Sequence, residues 1–217
     1  MNKGKLILSL FVVLVVAASC QKEPDMDKLS SNFMVYTEYD KNADFSSFAT
    51  FYLPDTIKVL GSKVTNWVGT AFSQDDGDPN AEKIITATAV NLEARGYTRI
   101  EDPEQRTTAD IGIQLSYVED TYYVTYYNTP YYWYDWWWGY NWGPAWGYVY
   151  PTYSMTYSYQ VGSLLGEMIY IDKAASKLYP MWSFYVVGSM SGSTYTDITR
   201  AVNGVNQAFI QSPYVKR

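Results

Sequence analysis

Apolar and polar residues alternate in several stretches of the chain, and this two-residue period is typical of β-strands. The stretch 109–117 shows it best, because Ile111, Ile113 and Leu115 share one side while small or polar residues occupy the other. Such a strand has one buried face and one exposed face. Further strands are predicted in the stretches 32–40, 49–55, 152–171 and 178–190.

Two other stretches repeat their apolar residues every three or four positions, as an amphipathic helix does. The first begins at Asp78, a suitable N-cap that precedes Pro79, and ends at Gly96, which is expected to adopt the left-handed conformation. The second runs from Thr196 to Ile210. The predicted buried faces are Ala81, Ile84, Ile85, Thr88, Ala89 and Leu92 in the first helix, and Ile198, Ala201, Val202, Val205 and Phe209 in the second.

These elements predict a single α+β domain at residues 33–217. Short connections between the later strands favour antiparallel pairing, so we expect a two-layer domain in which both helices pack on one face of a mostly antiparallel sheet. If 111–127 pairs with 152–171, the connection between them is 128–151. That connection is far longer than an ordinary hairpin loop, and long connections of this kind are often functional.

The first twenty residues have the pattern of a bacterial lipoprotein signal. Two lysines precede an apolar run from Leu6 to Val16, which is too short to span a bilayer, and small residues then lead to Cys20. Cys20 is the only cysteine of the chain and stands where a lipobox has the residue that is lipid-modified. We therefore predict a signal peptide at 1–19 and a polar, lipidated tether at 20–32.

The composition is acidic, because the net charge is −6 and becomes −8 once residues 1–19 and their two lysines are removed. An acidic chain without basic clusters argues against nucleic acid as a partner and against electrostatic adhesion to anionic lipid. Membrane attachment is then expected to come from acyl chains at Cys20. Gln21 directly after the cysteine is similar to lipoproteins of the outer membrane, so we predict that location, on either the periplasmic or the outer side.

Four short stretches resemble, in this order, the bacterial lipoprotein family known as domain of unknown function 4136. The resemblance implies the α+β fold, the lipid anchor and the envelope location, and it implies no activity, cofactor or catalytic residue. The chain departs from the family at LYPMWSFYVVG, where Pro180 and Trp182 alter the usual spacing and leave the register of that strand open. The matching stretches are VYTEYDKNADFSSFATFYLPD, LEARGYTRI, TADIGIQLSYVED and VGSLLGEMIYIDKAASKL.

The residue types needed for most catalysis are missing. Histidine is absent, which removes the commonest general base and the commonest transition-metal ligand, and the only cysteine is assigned to the anchor. The acidic loop at 75–78 lacks the spacing of a calcium-binding EF-hand loop. We therefore predict no enzyme activity, no cofactor and no metal site. The acids that remain as candidates, without a supporting motif, are Glu119, Asp120, Asp135, Glu167 and Asp172.

The stretch YYWYDWWWGYNWGPAWGYVY at 131–150, here called the aromatic segment, holds twelve aromatic rings and one charged residue. Three interpretations are open. The rings pack against the sheet, they form an exposed surface that binds a glycan, a peptide or a protein, or they enter the headgroup region of a membrane. The predicted contact residues are Tyr131, Tyr132, Trp133, Trp136, Trp137, Trp138, Trp142 and Trp146.

The predicted function is that of a binding or structural component of the outer membrane. A lipid anchor would hold the domain at the membrane, and the aromatic segment would contact a glycan, an envelope protein or the membrane surface. The alternative is a carboxylate-dependent glycan hydrolase, which requires two acids that face each other across a cleft.

Overall fold

The computed structural model describes residues 34–60, 72–73, 79–118, 122–125, 147–148, 156–159, 162–188 and 194–217. These residues belong to one compact unit, Asn32–Arg217. Within them, the helices are α1 (Pro79–Glu93) and α2 (Thr194–Gln211), with short 3-10 turns at Phe45–Ser47 and Pro103–Thr108. The strands are β1 (Met34–Tyr39), β2 (Thr50–Tyr52), β3 (Thr56–Leu60), β4 (Phe72–Ser73), β5 (Thr98–Ile100), β6 (Ile111–Val118), β7 (Tyr122–Thr125), β8 (Gly147–Tyr148), β9 (Thr156–Tyr159), β10 (Ser163–Asp172) and β11 (Lys177–Val187).

The main sheet has the strand order β1-β11-β10-β6-β2-β5. The pairs β1/β11, β11/β10 and β10/β6 are antiparallel, whereas β2 and β3 pair with β6 in parallel, and β5 pairs with β2 in parallel. The predicted α+β class and the mostly antiparallel sheet are confirmed. The parallel edge arises because α1 lies between β2 and β5 in the chain, and such a crossover returns the second strand in the direction of the first.

Both described helices pack on the same face of this sheet. The core joins the buried faces of α1 and α2 to Ile113 and Leu115 of β6, Met168 of β10, and Phe184 and Val186 of β11. All six residues predicted to form the buried face of the first helix are buried, and so are those of the second helix, except for a half-buried valine. The helical period fixed these faces, because every fourth residue of a helix meets the same surface.

Two glycines allow close approaches on the helix-covered face. The ring of Phe184 occupies the space in which Gly166 would carry a Cβ, and the side chain of Val186 does the same for Gly204 of α2. A side chain at Gly204 would push α2 away from β11. The role of Gly166 is therefore packing under a ring, not the bend that its position within a strand would first suggest.

The β10–β11 hairpin contains an irregularity at the point where the chain departs from the family pattern. Met168 pairs with Trp182 and Ile169 pairs with Pro180, so Met181 is an extra residue on β11. Proline has no N–H for a regular strand ladder and is tolerated next to such a bulge. The open register of this strand is thereby settled, and the indole N–H of Trp182 donates to Ser212 Oγ at 2.9 Å.

The structure differs from the predicted strands in three places. The predicted strand 152–171 is divided: β9 pairs with β7 in a separate two-stranded sheet, while β10 belongs to the main sheet, with Gly162 at φ 81° just before it. The short strands β3, β4, β5 and β8 are not predicted by the sequence, because two to five residues give too little alternation. The polar side of β6 is also buried, although it lies on the face that neither described helix covers.

Gly204→Ala should destabilise the domain although alanine is the better helix former. The added methyl group meets Val186, and overpacking of this kind costs about 1–3 kcal/mol, against a gain of about 1 kcal/mol in helix propensity. Urea unfolding measures the free energy of unfolding of each variant. The matched control is Asn203→Ala, one residue earlier on the exposed side of α2, which should be neutral or stabilising. A Gly204→Ala protein as stable as this control would contradict the packing argument.

Candidate functional site

The predicted lipidation site and all eight predicted contact residues lie outside the described part of the chain. This holds for Cys20 and for Tyr131, Tyr132, Trp133, Trp136, Trp137, Trp138, Trp142 and Trp146. The backbone of the same segment is described at Gly147–Tyr148, where β8 pairs in parallel with Lys177–Leu178 at the start of β11. One end of the aromatic segment is therefore joined to the main sheet.

The structure does not bring the candidate acids together in the part of the chain that it describes. Glu119, Asp120 and Asp135 lie outside that part, and Glu167 and Asp172 stand five positions apart on β10. An odd separation places them on opposite faces of the strand, roughly 17 Å apart along it. Asp172 acts in the β10–β11 turn, where its Oδ1 accepts hydrogen bonds from the backbone N–H groups of Ala174 and Ala175 at 3.1 and 2.9 Å.

The face of the main sheet opposite α1 and α2, here called the helix-free face, carries a row of polar residues. Glu38 of β1 pairs with Ser183 of β11, Ser183 with Glu167 of β10, and Glu167 with Gln114 of β6. Strand neighbours in register point to the same side, so the four side chains form one line across four strands. This line is here called the polar row.

The polar row is buried over most of its length. Glu167 and Gln114 are 5% exposed and Ser183 is 2% exposed, whereas Glu38 at the sheet edge is half-buried. The amide nitrogen of Gln114 donates to Ser116 Oγ at 3.0 Å. Within the described residues, Gln114 Oε1 and the fully buried Ser163 Oγ have no hydrogen-bond partner. Burying such groups costs free energy unless they acquire partners, so this face needs a polar layer against it.

An aromatic pair lies beside the polar row at the β1 edge. The rings of Tyr36 and Tyr185 are stacked, with centroids 6.4 Å apart and planes 24° from parallel. Tyr185 is buried, but Tyr36 is 44% exposed and its neighbour on this face, Met34, is 56% exposed. The helix-free face is thus closed in its middle and open at the β1 edge.

Sequence reasoning identified neither the polar row nor its burial. Gln114 and Ser116 alternate with apolar residues on β6, and that pattern normally marks a face that water reaches. In the sequence, Glu167 is one of five candidate acids, and no motif distinguishes it from the others. The signal that could have found the row is the combination of polar residues at matching positions on strands predicted to pair, which requires the register.

The polar residues of the family-like stretches hold the fold together. Asp110, in TADIGIQL, accepts hydrogen bonds at its Oδ2 from the N–H groups of Ala49 and Thr50 at 2.9 and 3.0 Å and from the Thr50 hydroxyl at 3.0 Å. Burial alone would raise the pKa of Asp110, but these three donors and the Lys173 ammonium 3.9 Å away outweigh it and lower the pKa. Asp110 thereby fixes β2 beside β6.

The stretch LEARGYTRI connects α1 to its neighbours. Arg95 donates to the backbone oxygen of Phe209 on α2 at 2.8 Å, and its guanidinium lies 4.8 Å from the centre of the Phe209 ring. The Tyr97 hydroxyl donates to the backbone oxygen of Phe45 at 3.0 Å, and burial raises the pKa of Tyr97 to about 12. Gly96 has φ 93°, as expected for a residue that closes a helix.

Two kinds of feature are absent from the described ranges: a cluster of metal ligands and a helix that could span a membrane. No group of three His, Cys, Asp or Glu residues is close enough there to hold a metal ion. Among the helices of those same ranges, none combines the length and the apolar character needed to cross a membrane.

Asp110→Asn should lower the free energy of unfolding at neutral pH by about 1–2 kcal/mol. Hydrogen bonds to a charged group contribute about 1.5–3 kcal/mol, and partial exposure of this carboxyl reduces that value. Because the folded-state pKa is lowered, the stabilisation is complete above the unfolded-state pKa of about 3.9 and is lost as the pH falls through the folded-state pKa.

Urea unfolding between pH 7 and pH 3 checks this pH dependence. The difference between the wild type and Asp110→Asn should shrink in acid. The control Lys173→Met removes the half-exposed ammonium 3.9 Å from Asp110, together with its hydrogen bond to the backbone oxygen of Thr108 at 2.6 Å, and leaves the three donors to Asp110 in place. It should cost less than about 1 kcal/mol. A difference for Asp110→Asn that stays constant over this range would show that its charge is not what stabilises the fold.

Comparisons with known proteins agree with the family resemblance. The profile of the DUF4136 family, a domain of unknown function, matches residues 35–214. A crystal structure of a DUF4136 family protein from Bacteroides thetaiotaomicron VPI-5482 is 40% identical, has a TM-score of 0.63, and covers 85% of this chain and 98% of that chain.

More distant matches are PelC dodecamers from Paraburkholderia phytofirmans, which are 13% and 12% identical with TM-scores of 0.39 and 0.38. They cover 85% of this chain and 99% of the PelC chains, and similarity at this level carries no inference about function. No curated protein matches the chain. The family profile and the 40% identity over most of both chains show that this protein belongs to the DUF4136 family.

Proposed function

We propose that this protein is a lipid-anchored component of the outer membrane whose role is binding or structural. In this proposal Cys20 carries the acyl chains, residues 20–32 form the tether, and the domain holds the aromatic segment in position for a partner. The partner is a glycan, an envelope protein or the membrane surface itself.

The observation that carries the proposal is the attachment of the aromatic segment to a folded domain. Its residues Gly147–Tyr148 pair with β11, and β7, which precedes the segment, pairs with β9, which follows it. A segment fixed near both ends loses less conformational entropy on binding than a free tail would. Twelve aromatic rings held in this way favour a surface that makes specific contacts.

The chemistry of the segment suits recognition. Tryptophan and tyrosine combine large apolar surfaces with one hydrogen-bond donor each, and they dominate the energetics of many interfaces. Asp135 is the one charged residue in the segment, so binding would not depend on charge. We therefore expect affinity that changes little with salt.

A non-enzymatic role is part of the proposal. The chain contains no histidine, and the two candidate acids that the structure describes, Glu167 and Asp172, lie on opposite faces of β10. A glycan hydrolase would need two carboxyl groups roughly 5–10 Å apart across a cleft. No observation among the described residues favours that alternative.

Replacing the six tryptophans of the segment with serine should weaken binding to the partner at least about tenfold, since loss of one anchor residue already costs about 2 kcal/mol or more. The variant carries Trp133→Ser, Trp136→Ser, Trp137→Ser, Trp138→Ser, Trp142→Ser and Trp146→Ser and keeps Gly147–Tyr148, so that β8 is retained. Co-sedimentation with purified peptidoglycan, co-sedimentation with lipid vesicles, and pull-down of solubilised envelope proteins distinguish the three classes of partner.

The matched control for this experiment is Tyr36→Ser, which removes an exposed ring from the main sheet and leaves the segment unchanged. Thermal unfolding of every variant reports its stability. Unchanged binding to all three probes by the tryptophan variant, together with a large loss of stability, would contradict the recognition role and favour a role of the rings in the core.

Cys20→Ala should release the protein from the membrane. Without the thiol there is no site for acylation, and a protein without acyl chains has no anchor of this type. Detergent phase partitioning of cell extracts should show the wild type in the detergent phase and the variant in the aqueous phase or as an unprocessed precursor. Ser19→Ala keeps the thiol and should behave like the wild type; a Cys20→Ala protein that still partitions as the wild type would rule out this anchor.

A further inference from the structure

We propose that the paired strands β7 and β9 fold back over the helix-free face and form a third layer of the domain. The occupant of this face is thus a named part of the same chain, the β7–β9 hairpin. The proposal goes beyond the function proposed above and does not depend on it.

The short chain between β8 and β9 limits where β9 can lie relative to β10. Tyr148 is in register with Leu178, which pairs with Ile171 near the turn end of β10, whereas β9 ends just before the other end of β10 at Ser163. If β9 continued β10 in a straight line, Thr156 would lie about 50 Å from Tyr148 along the strand direction. The eight residue steps between them span at most about 29 Å.

The chain must therefore reverse its direction between β9 and β10. Gly162 lies at this point and has φ 81°, a left-handed conformation that glycine adopts without strain. Its N–H donates to the backbone oxygen of Val118 at 2.8 Å, so the turn is fixed to the end of β6. Because β7 is paired with β9, the whole hairpin turns with it.

Only one face of the main sheet can receive the hairpin. α1 and α2 fill the other face, where Gly204 and Val186 are in close contact. On the helix-free face, Val118, Leu165 and Tyr185 are at most 3% exposed, although neither described helix covers them. A sheet face becomes this inaccessible only when a layer packs against it.

The helix-free face and the hairpin are chemically complementary. Two buried atoms of this face, Gln114 Oε1 and Ser163 Oγ, can accept hydrogen bonds and have no partner within the described residues. Tyrosine hydroxyls and tryptophan indoles are donors attached to apolar rings. β7 and β9 contain four tyrosines among eight residues, so the hairpin has the composition to supply donors to the row and apolar surface to the residues around it.

Thiol labelling tests the proposal in the full chain with Cys20→Ser, which leaves a single introduced cysteine. Ser183→Cys reports on the helix-free face, and Val186→Cys, on the same strand but under the helices, is the matched control. Both should react slowly with a maleimide. Replacing residues 119–161 with a two-residue Asn-Gly turn joins the paired ends of β6 and β10 and removes the hairpin.

In this shortened chain, labelling of Ser183→Cys should accelerate at least about tenfold, while Val186→Cys stays protected. Protection of Ser183→Cys that persists after the deletion would overturn the proposal. If this protection is then lost when the protein is diluted, a second copy of the chain covers the helix-free face. If the protection remains, another segment of the same chain covers it.

If Val186→Cys also becomes reactive, the shortened domain is unfolded. A distance measurement on the full-length chain then shows which face of the sheet the hairpin covers. One spin label is placed on β9 at Thr156→Cys. The second is placed either on the helix-free face at Tyr36→Cys or on the exposed side of α1 at Val90→Cys, and the two label-to-label distances are compared. The distance to Tyr36→Cys should be the shorter one by more than the roughly 10 Å thickness of a packed layer. A shorter distance to Val90→Cys would place the hairpin over the helices and refute the proposal.

Discussion

A sheet whose two faces are both buried needs a layer on each side, and the two described helices supply only one. This constraint governs the domain. α1 and α2 can cover the face that contains Phe184 and Val186 because Gly204 lets α2 approach β11 closely. The opposite face carries Gln114, Glu167 and Ser183 in one line, buried to nearly the same degree as the apolar core. The architecture of the protein depends on what packs there.

The two faces differ in chemistry, and the difference bears on function. The helix-covered face is apolar and is filled by contacts such as that of Trp182 with Phe209, whose ring centres are 4.9 Å apart. The helix-free face combines apolar residues with acceptors that need donors, and it opens at β1 around Tyr36. A layer rich in tyrosine and tryptophan satisfies both requirements, because each of these side chains has an apolar ring and a polar group.

The family resemblance rests largely on residues that stabilise the fold. Asp110 joins β6 to β2, Arg95 joins α1 to α2, and Gly96 ends α1. These contacts join stretches that are separated by many residues, and each stretch contributes one half of a tertiary contact. They also explain why the resemblance identifies the fold without identifying a ligand. The residues proposed to contact a partner lie in a different part of the chain.

The sequence by itself determined the local structure and the faces of the helices. The buried faces of α1 and α2, the closure of α1 at Gly96 and the turn at Asp172 follow from spacing and residue type within a few positions. Only the tertiary structure decided the parallel edge formed by β2 and β5, the bulge opposite Met168, and the burial of Gln114 and Glu167. Each of these depends on which distant strand lies alongside, and the alternation within one strand is the same whether its polar side meets water or a second layer.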